Sequence, residues 1–310
     1  MRCVLLGGAG FIGSHLAQGL LDAGHHVRIF DRQGGGAPRG FPGAERIEWQ
    51  EGDFLIRRDL AQALGGCDAV FHLVSTTLPG TANENPVHDI QTNVIGTLHM
   101  LDEALAARVA KIVFVSSGGT VYGVPREIPV AETHPTEPIT AYGIGKLTIE
   151  KYLGLYRALH GLDYRVLRLA NPFGERQNVA SGQGAVSTFL YRAQRGEPIE
   201  VWGNGTVVRD YVYVGDVADA FVRALSYEGE HRIINIGSGV GHDLNEIVAA
   251  IERVTGRPLR PRFLPGRNFD VPANVLDVRL ARRELGWQPA TDLETGLMRT
   301  LQWLRNTSAS

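Results

Sequence analysis

The chain opens with a short apolar segment, residues 3–6, that leads directly into three glycines spaced three residues apart. A helical pattern follows at 14–22, and a second strand pattern at 26–31 ends in an acidic residue 18 positions after the last glycine. In such a turn the first glycine permits a tight bend, the second lets backbone N–H groups approach a phosphate, and the third lets the helix pack closely. This context favours a dinucleotide site over a glycine-rich turn without a ligand. The residues predicted to contact the cofactor here are Gly7, Gly10, Phe11, Ile12 and Gly13.

The acidic residue that ends the second strand pattern, Asp31, bears on the identity of the cofactor. A carboxylate at this place accepts hydrogen bonds from the adenosine ribose hydroxyls and repels a 2′-phosphate, which favours NAD over NADP. The next residue, Arg32, allows the opposite interpretation, because a guanidinium can pair with that phosphate. Arg32 as a solvated loop cation is the third interpretation. We predict NAD, with Asp31 and Arg32 at its adenosine end.

Composition and charge argue against several kinds of partner. The 310 residues are 44% hydrophobic and 21% charged with a net charge of −2, so the chain lacks a basic field for nucleic acid or an anionic membrane. We expect no signal sequence and no membrane span. Cys3 and Cys67 are too few to staple a secreted fold, which favours a reducing, cytoplasmic compartment. The histidines show no metal-ligand spacing, and we predict no metal.

Strand patterns alternate with helix patterns along the first half of the chain. The apolar strand runs are at 4–6, 27–30, 47–50, 69–74, 112–115 and 165–169. The helix patterns are near 14–23, 57–64, 86–107 and 141–160. Because the strands are continuously apolar rather than alternating, helices should cover both faces of the sheet. The pattern therefore predicts an α/β fold with a doubly wound parallel (Rossmann) sheet.

After residue 170 this rhythm breaks into loops rich in glycine, proline and asparagine. Shorter elements are predicted around 185–196, 243–255 and 292–305. We predict an NAD-binding Rossmann domain at 1–170, with a returning segment near 208–237. A smaller α/β lobe at 171–310 would bind mainly the substrate.

The chemistry is predicted at Tyr142 and Lys146, which the YGIGK segment separates by four residues. On a helix this spacing places the phenol and the ammonium on one face, one turn apart. A nearby lysine and a positively charged nicotinamide both favour the phenolate, so we expect Tyr142 to act as a base near neutral pH. The alternative is an ordinary surface pair. The preceding dinucleotide pattern and a strand that ends in two serines favour the catalytic interpretation.

Four segments together carry a family resemblance: the glycine pattern, VSSGGTVYG at 115–123, the YxxxK pair and RDYVYV at 209–214. On these segments the chain resembles the extended short-chain dehydrogenase/reductase family over essentially its whole length. Within that family it is most similar to the NAD-dependent nucleotide-sugar epimerases and dehydratases of the UDP-glucose 4-epimerase type. The resemblance implies a UDP-sugar as substrate, and a homodimer that pairs through the helices near 86–107 and 141–160.

The resemblance also implies roles for individual residues. Cofactor contacts would come from Asp53 and Phe54 beside the adenine, from Leu73, Val74 and Ser75, and from Asn93, Tyr142 and Lys146. Substrate contacts would come from Asn171, Trp202, Arg209, Arg267, Asp270 and Asn274. Each has an alternative: Asp53 and Asn93 as turn and packing residues, Trp202 as core, and Asn274 as a solvent-facing loop residue. His72, within an apolar strand, is interpreted as a core histidine.

One position departs from the family pattern. The family usually places Ser or Thr four residues before the tyrosine of the VYG segment, where this chain has Gly118. The nearest hydroxyls are Ser117 and Thr120, and we predict that Ser117 takes this role. The Asp-Glu pair that sugar 4,6-dehydratases use is replaced by Gly119 and Thr120, which disfavours dehydration.

These observations predict an NAD-dependent 4-epimerase that acts through a transient 4-keto sugar, with Tyr142 as acid and base. A 4-keto-sugar reductase, a 4,6-dehydratase and a non-catalytic dinucleotide sensor are the alternatives. In the epimerases that this chain resembles, a bulky tyrosine at the position of Asn274 narrows the pocket around the sugar C2 substituent. Asn274 is smaller, so we expect N-acetylated UDP-hexoses to be accepted beside UDP-glucose and UDP-galactose.

Overall fold

A seven-stranded sheet organises the first part of the chain. The computed structural model describes residues 1–32, 41, 43–179, 184–266 and 271–308. The strands are, in chain order, β1 Arg2–Leu6, β2 His26–Asp31, β3 Ile47–Glu51, β4 Ala69–His72, β5 Lys111–Ser117, β6 Asp163–Leu169, β7 Asn171–Phe173, β8 Glu200–Trp202, β9 Val208–Tyr213, β10 Ile233–Ile236, β11 Gly241–His242, β12 Arg262–Leu264 and β13 Ala273–Asn274. The helices are α1 Phe11–Asp22, α2 Arg57–Leu64, α3 Pro79–Glu84, α4 Pro86–Asp89, α5 Gly96–Ala106, α6 Ala141–His160, α7 Ala185–Arg195, α8 Val214–Ser226, α9 Leu244–Thr255, α10 Arg279–Leu285 and α11 Leu293–Ser308.

The sheet has the strand order β10-β6-β5-β4-β1-β2-β3. The pairings of β1 with β2 and β4, of β2 with β3, and of β4 with β5 are all parallel. Strands β1, β4 and β6 are buried along almost their whole length, because helices cover both faces. The predicted doubly wound parallel sheet is confirmed.

Two predicted elements differ from the observed ones in ways that matter for the site. Strand β4 ends at His72 rather than at residue 74, so residues 73 and 74 belong to the loop that follows the strand. The helix predicted at 86–107 is interrupted between α4 and α5 by a π-helical turn at Ile90–Ile95. Such turns occur inside helices and are frequent at functional sites. By contrast, α6 has the predicted bounds.

The chain divides into two compact units. The first comprises Met1–Gly123, Pro135–Arg168 and Ala218–Ile234, and the second comprises Val124–His134, Leu169–Val217 and Asn235–Ser310. In the second unit β9 pairs with β7, β11 and β13, and β8 pairs in parallel with β12. Within the described ranges, no helix has both the length and the apolar character needed to cross a membrane.

Candidate active site

The glycine turn between β1 and α1 has the tight geometry that its sequence predicts. Gly7 has a φ of +79°, and a Cβ atom there would lie 3.2 Å from the backbone nitrogen of Val74. A Cβ atom at Gly13 would lie 2.6 Å from Gly8, so the start of α1 approaches the turn too closely for any side chain. Gly10 is the N-cap of α1, and among the residues that the structure describes no side chain caps this helix. Its first backbone N–H groups are therefore available to an anion such as a pyrophosphate.

Asp31 lies at the end of β2, beside this turn. Its Oδ2 accepts the N–H of Ala9 at 3.0 Å, and its Oδ1 accepts the N–H of Arg32 at 2.9 Å. Each carboxylate oxygen has a second lone pair, which can accept a ribose hydroxyl. The Arg32 side chain is exposed. The described residues thus fit NAD: a glycine-rich turn that leaves room for close backbone approach suits the pyrophosphate, and a carboxylate suits the adenosine ribose.

Three further residues predicted to contact the cofactor border the same turn. Leu73, Val74 and Ser75 directly follow β4, and Val74 adjoins Gly7. The predicted helix residues Phe11 and Ile12 begin α1 and are half-buried. The structure therefore brings the glycine turn, Asp31 and the end of β4 together at the carboxyl ends of these neighbouring strands.

Asp53 and Phe54 have evident roles in local structure. Asp53 Oδ1 accepts the N–H of Leu55 at 2.9 Å. The Phe54 ring is buried and stacks on His72 with the ring centroids 5.2 Å apart. His72 itself is buried and hydrogen-bonds Thr97 through Nε2 at 2.8 Å, so it is the core histidine that its sequence context indicates. Contact of Asp53 and Phe54 with the adenine stays a prediction.

Helix α6 carries the predicted acid–base pair near its N-terminus. Thr140 caps the helix by accepting the N–H of Gly143 at 3.1 Å, and Tyr142 and Lys146 follow one turn apart. Lys146 Nζ lies 5.5 Å from the centroid of the Tyr142 ring. The same ammonium donates to the carbonyl oxygen of Val115 at 3.0 Å, which fixes the pair against β5.

The two glycines between Tyr142 and Lys146 determine how closely α6 approaches its neighbours. A Cβ atom at Gly143 would lie 2.8 Å from the carbonyl oxygen of Thr120. A Cβ atom at Gly145 would lie 3.0 Å from Asp89 Oδ2. Because Gly143 and Gly145 have no side chains, this turn of α6 can contact the segment after β5 on one side and the end of α4 on the other.

Burial is the largest influence on the pKa of both Tyr142 and Lys146. It raises the pKa of Tyr142 to about 12, although the hydrogen bond with the Ser75 hydroxyl acts in the opposite direction. Burial lowers the pKa of Lys146 to about 8, although the negative charges of Asp89 and Glu150 oppose this shift. The expectation of a phenol poised near neutral pH therefore does not hold for the protein alone. Helical spacing reveals a neighbouring charge, but it does not reveal the burial that disfavours the phenolate.

A buried acid that the sequence analysis did not single out lies beside this pair. Asp89 is 2% exposed, and its Oδ1 accepts hydrogen bonds from the Thr77 hydroxyl and from Asn93 Nδ2, the latter at 2.9 Å. Asn93 Oδ1 in turn accepts the N–H of Thr76 at 2.9 Å, which joins the loop after β4 to the π-helical turn. One sequence signal could have indicated Asp89: it precedes Asn93 by four residues, the spacing of one helix face.

Two hydroxyls remain candidates for the position that Gly118 leaves without one. Ser117 ends β5 and is half-buried, and a Cβ atom at Gly119 would lie 3.9 Å from its Oγ. Thr120 Oγ1 is buried and has no hydrogen-bond partner within the described residues. Which of the two meets the sugar stays a prediction.

Among the described residues, the predicted substrate residues of the second unit cluster along β9, with one exception. Arg209 lies on β9 and donates through Nη1 to the carbonyl oxygen of Val271 at 2.6 Å. Asn274 on β13 is opposite Arg209 in the register and is 1% exposed, so it is not a loop residue turned to solvent. Asn171 on β7 donates to the carbonyl oxygen of Asp210 at 3.0 Å.

The exception is Trp202, which ends β8 in the separate two-stranded sheet. It is 41% exposed and is therefore not a core residue. Arg267 and Asp270, the remaining predicted substrate residues, lie outside the described residues.

Comparisons with known proteins place the chain in one family of enzymes. A model of the NAD dependent epimerase/dehydratase family matches residues 3–237. The chain is 37% identical to the UDP-glucose 4-epimerase of Mycolicibacterium smegmatis, over 99% of this chain and 100% of that protein. It is similar to the structure of Thermotoga maritima UDP-glucose 4-epimerase with UDP-glucose, with 35% identity, a TM-score of 0.94, and coverage of 99% of this chain and 100% of that one. It is also similar to the UDP-N-acetylglucosamine 4-epimerase of Methanobrevibacter ruminantium M1 in complex with UDP-N-acetylmuramic acid, with 27% identity, a TM-score of 0.91, and coverage of 99% and 98%.

Proposed function

Because this chain belongs to the NAD dependent epimerase/dehydratase family, we propose that it catalyses the NAD-dependent 4-epimerisation of UDP-sugars. The observation that carries the proposal is the one-turn Tyr142/Lys146 pair of α6, fixed against β5 within the unit that also holds the glycine turn and Asp31. Relatives named UDP-glucose 4-epimerase match over nearly the full length of the chain and support the reaction class.

In the proposed mechanism Tyr142 Oη takes the proton from the sugar 4-hydroxyl and later returns it on the other face. Bound NAD supplies the acceptor and donor of the C4 hydride, and its positive nicotinamide favours the Tyr142 phenolate. Lys146 would add a second positive charge beside the phenol and would donate a hydrogen bond to the nicotinamide ribose. The Ser75 hydroxyl, which donates to the carbonyl oxygen of Thr77 at 3.0 Å in the protein alone, would support the phenolate by turning its hydrogen toward Tyr142. Since the proton and the hydride both return to the sugar, the reaction is an isomerisation without net oxidation.

We assign the substrate contacts to the second unit. The Arg209 guanidinium would hold the diphosphate, since a planar fork suits a diphosphate better than a point charge does. Asn171 would contact the sugar or diphosphate, and the exposed Trp202 would lie near the uracil. By the same family resemblance, Arg267 would also hold the diphosphate and Asp270 would hold the nucleotide ribose. Asn274 is small enough to leave room for an N-acetyl group at C2.

A homodimer and a cytoplasmic location are part of the same proposal. Apolar side chains are exposed along α6, namely Ile144, Leu155 and Leu159, and along the α4–α5 segment, namely Val87, Ile90 and Ile95. A second copy of the chain would cover these two helical surfaces. Cys3 and Cys67 are both buried free thiols, which suits a reducing compartment.

The test combines the bound cofactor with the reaction. The purified protein is denatured to identify the released cofactor, and the native protein is incubated with UDP-glucose and followed by NMR of the anomeric region. We expect NAD and formation of UDP-galactose with no net change in NADH absorbance. NADP in the native pool would contradict the role of Asp31. Stoichiometric NAD(P)H consumption would identify a reductase instead, and a 4-keto-6-deoxy product would identify a dehydratase.

A further inference from the structure

A small cavity lies where the π-helical turn faces α6. Its volume is about 10 Å³, room for about one water molecule, and it is lined in part by Asp89, Asn93, Tyr142 and Lys146. The buried acid and the proposed acid–base pair therefore border one confined space rather than separate parts of the fold.

Hydrogen bonds fix the Asp89 carboxylate at the wall of this cavity. The Thr77 hydroxyl and the Asn93 amide both donate to its Oδ1, and both donors are neutral. Its Oδ2 faces α6 at Gly145, where a Cβ atom would lie only 3.0 Å away. The missing side chain at Gly145 thus allows a full negative charge to approach the helix between Tyr142 and Lys146.

Other titratable groups near Lys146 supply less charge. Glu150, one turn further along α6, is committed to Arg168, which binds it through Nε at 3.0 Å and through Nη2 at 2.6 Å. Burial and the Lys146 charge keep His72 neutral, because they lower its pKa to about 3. Asp89 is therefore the acid near Lys146 whose hydrogen-bond donors bring no compensating positive charge.

We propose that Asp89 is a positioning residue of the reaction: its buried carboxylate, across one small cavity from Lys146, keeps the ammonium protonated beside Tyr142 and so sets the pH range in which the pair works. This inference rests on the proposed function for its catalytic consequence. The interaction between Asp89 and Lys146 is a property of the protein alone and can be measured without substrate.

The direction of the effect follows from the charges. The negative charge of Asp89 raises the pKa of Lys146 against the burial that lowers it to about 8. It also raises the pKa of Tyr142. Asp89→Asn keeps the shape and the acceptor oxygen but removes the charge, so the pKa of both groups should fall. Lys146 would then lose its proton at a lower pH than in the wild type.

The composition of the chain makes a direct measurement practical. Its only lysines are Lys111, Lys146 and Lys151. Lysine labelled with ¹³C at Cε gives three resonances, assigned by substituting each lysine in turn, and their pH titration reports each ammonium separately. We expect a midpoint near 8 for Lys146 in the wild type, and a fall of about one unit or more in Asp89→Asn. The titration curves of Lys111 and Lys151 should be the same in the wild type and in Asp89→Asn.

Two control variants distinguish charge from local disruption. Thr77→Val removes one hydrogen bond to Asp89 and keeps its charge, so the Lys146 midpoint should stay near the wild-type value. Asp219→Asn removes an equal charge from the exposed surface of α8, where Asp219 pairs with Arg223, and should leave Lys146 unchanged. A shift in either control as large as that in Asp89→Asn would overturn the proposal.

The catalytic consequence is read from the pH profile of epimerisation. Both limbs of the profile should move to lower pH in Asp89→Asn, whereas a merely structural role would lower kcat equally at every pH. An unchanged Lys146 midpoint, or an unchanged profile in an active wild type, would overturn the proposal. If Asp89→Asn does not fold, the Lys146 midpoint of the wild type decides. A midpoint below about 6 is typical of a buried lysine without a nearby acid and would overturn the proposal. An inactive wild type with the expected lysine shift would contradict the proposed function and leave the Asp89–Lys146 interaction established.

Discussion

At the scale of single residues, the site places two ionisable groups where the protein alone disfavours their charged forms. Burial opposes both the Tyr142 phenolate and the Lys146 ammonium. The protonation of such a pair responds strongly to an added charge, because charges interact more strongly in a buried site of low dielectric constant than in water. A bound positive nicotinamide would therefore change the protonation of Tyr142 more strongly than it would in a solvated site. This couples acid–base chemistry to cofactor occupancy.

The first prediction concerns Tyr142→Phe. The change removes the proton acceptor and keeps the ring, so kcat should fall by about a hundredfold or more while the affinity for the nucleotide sugar stays within a few-fold. Steady-state kinetics and calorimetric titration of UDP-glucose measure the two quantities. Turnover close to that of the wild type would remove Tyr142 from the mechanism.

The second prediction concerns His72 and the pH dependence of stability. The Thr97 hydroxyl donates to the carbonyl oxygen of Asn93 at 2.6 Å, so it must accept from His72, whose Nε2 therefore carries the hydrogen. Burial, and then the Lys146 charge, lower the pKa of His72 from 6.5 to about 3. The unfolded chain gains a proton on His72 as the pH falls below 6.5 and the folded chain does not, so stability is lost between pH 6.5 and pH 3.

The slope of this loss approaches about 1.4 kcal/mol per pH unit for one group. His72→Phe keeps a ring beside Phe54 and Phe114 and removes the titration. Urea unfolding at pH 7, 6, 5 and 4 should therefore show a shallower decline for the variant than for the wild type. Parallel curves would show that His72 is protonated in the folded protein.

The third prediction concerns Asn274 and the choice of sugar. Asn274→Tyr fills the space expected to hold an N-acetyl group, and excluding a whole substituent costs more than the roughly 1–3 kcal/mol of one methylene. Reaction with UDP-N-acetylglucosamine should be lost selectively, while UDP-glucose is retained. Because Asn274 is buried on β13, thermal unfolding is recorded alongside. An unchanged ratio of kcat/KM for the two substrates would show that Asn274 is not the specificity residue.

At the scale of elements, the N-terminal turn of α6 depends on its glycines as much as on its functional side chains. The fourth prediction tests this with Gly143→Ala. The new Cβ atom would meet the Thr120 carbonyl oxygen at 2.8 Å and Pro138 Cβ at 3.0 Å, and neither can move without its backbone. We expect a loss of about 1–3 kcal/mol in unfolding free energy, and a lower kcat because Tyr142 is displaced.

Gly154→Ala is the matched control on the same helix. Its Cβ atom would lie 3.5 Å from the Tyr164 hydroxyl, an ordinary contact. Alanine is favoured over glycine in a helix interior by up to about 1 kcal/mol, so this variant should be unchanged or more stable. Equal stability of the two variants would show that α6 does not need its close approach to Thr120.

The bounds of α6 were predictable because its signals are local. Thr140 accepts an N–H of the first turn, and Gly161 ends the helix with a φ of +72°. The π-helical turn was not predictable, because no residue in Ile90–Ile95 marks it. That turn bears on the site, since it lies between Asp89 and the rest of the helical segment.

At the scale of the whole molecule, the fifth prediction concerns assembly. One chain has a mass of 33.8 kDa, and we expect light scattering after gel filtration to give twice that value. Leu155→Glu places a charge among the exposed apolar side chains of α6 and should shift the protein toward the monomer. Met298→Glu, at a similarly exposed position on α11, is the control and should remain dimeric. A monomeric wild type would contradict the proposed pairing.

The sequence by itself determined the fold class, the glycine turn and the one-turn spacing of Tyr142 and Lys146, because each depends on short-range chemistry. Glycine spacing, apolar runs and the one-turn separation of Tyr142 and Lys146 act within a few residues of chain. Tertiary structure alone decided that Asp89 reaches Gly145 and that Tyr142 has a raised rather than a lowered pKa. These features depend on which distant segments pack against one another. Burial changes the free energy of an ionised group, but neither the identity of that group nor its neighbours in the sequence reveal how deeply it is buried.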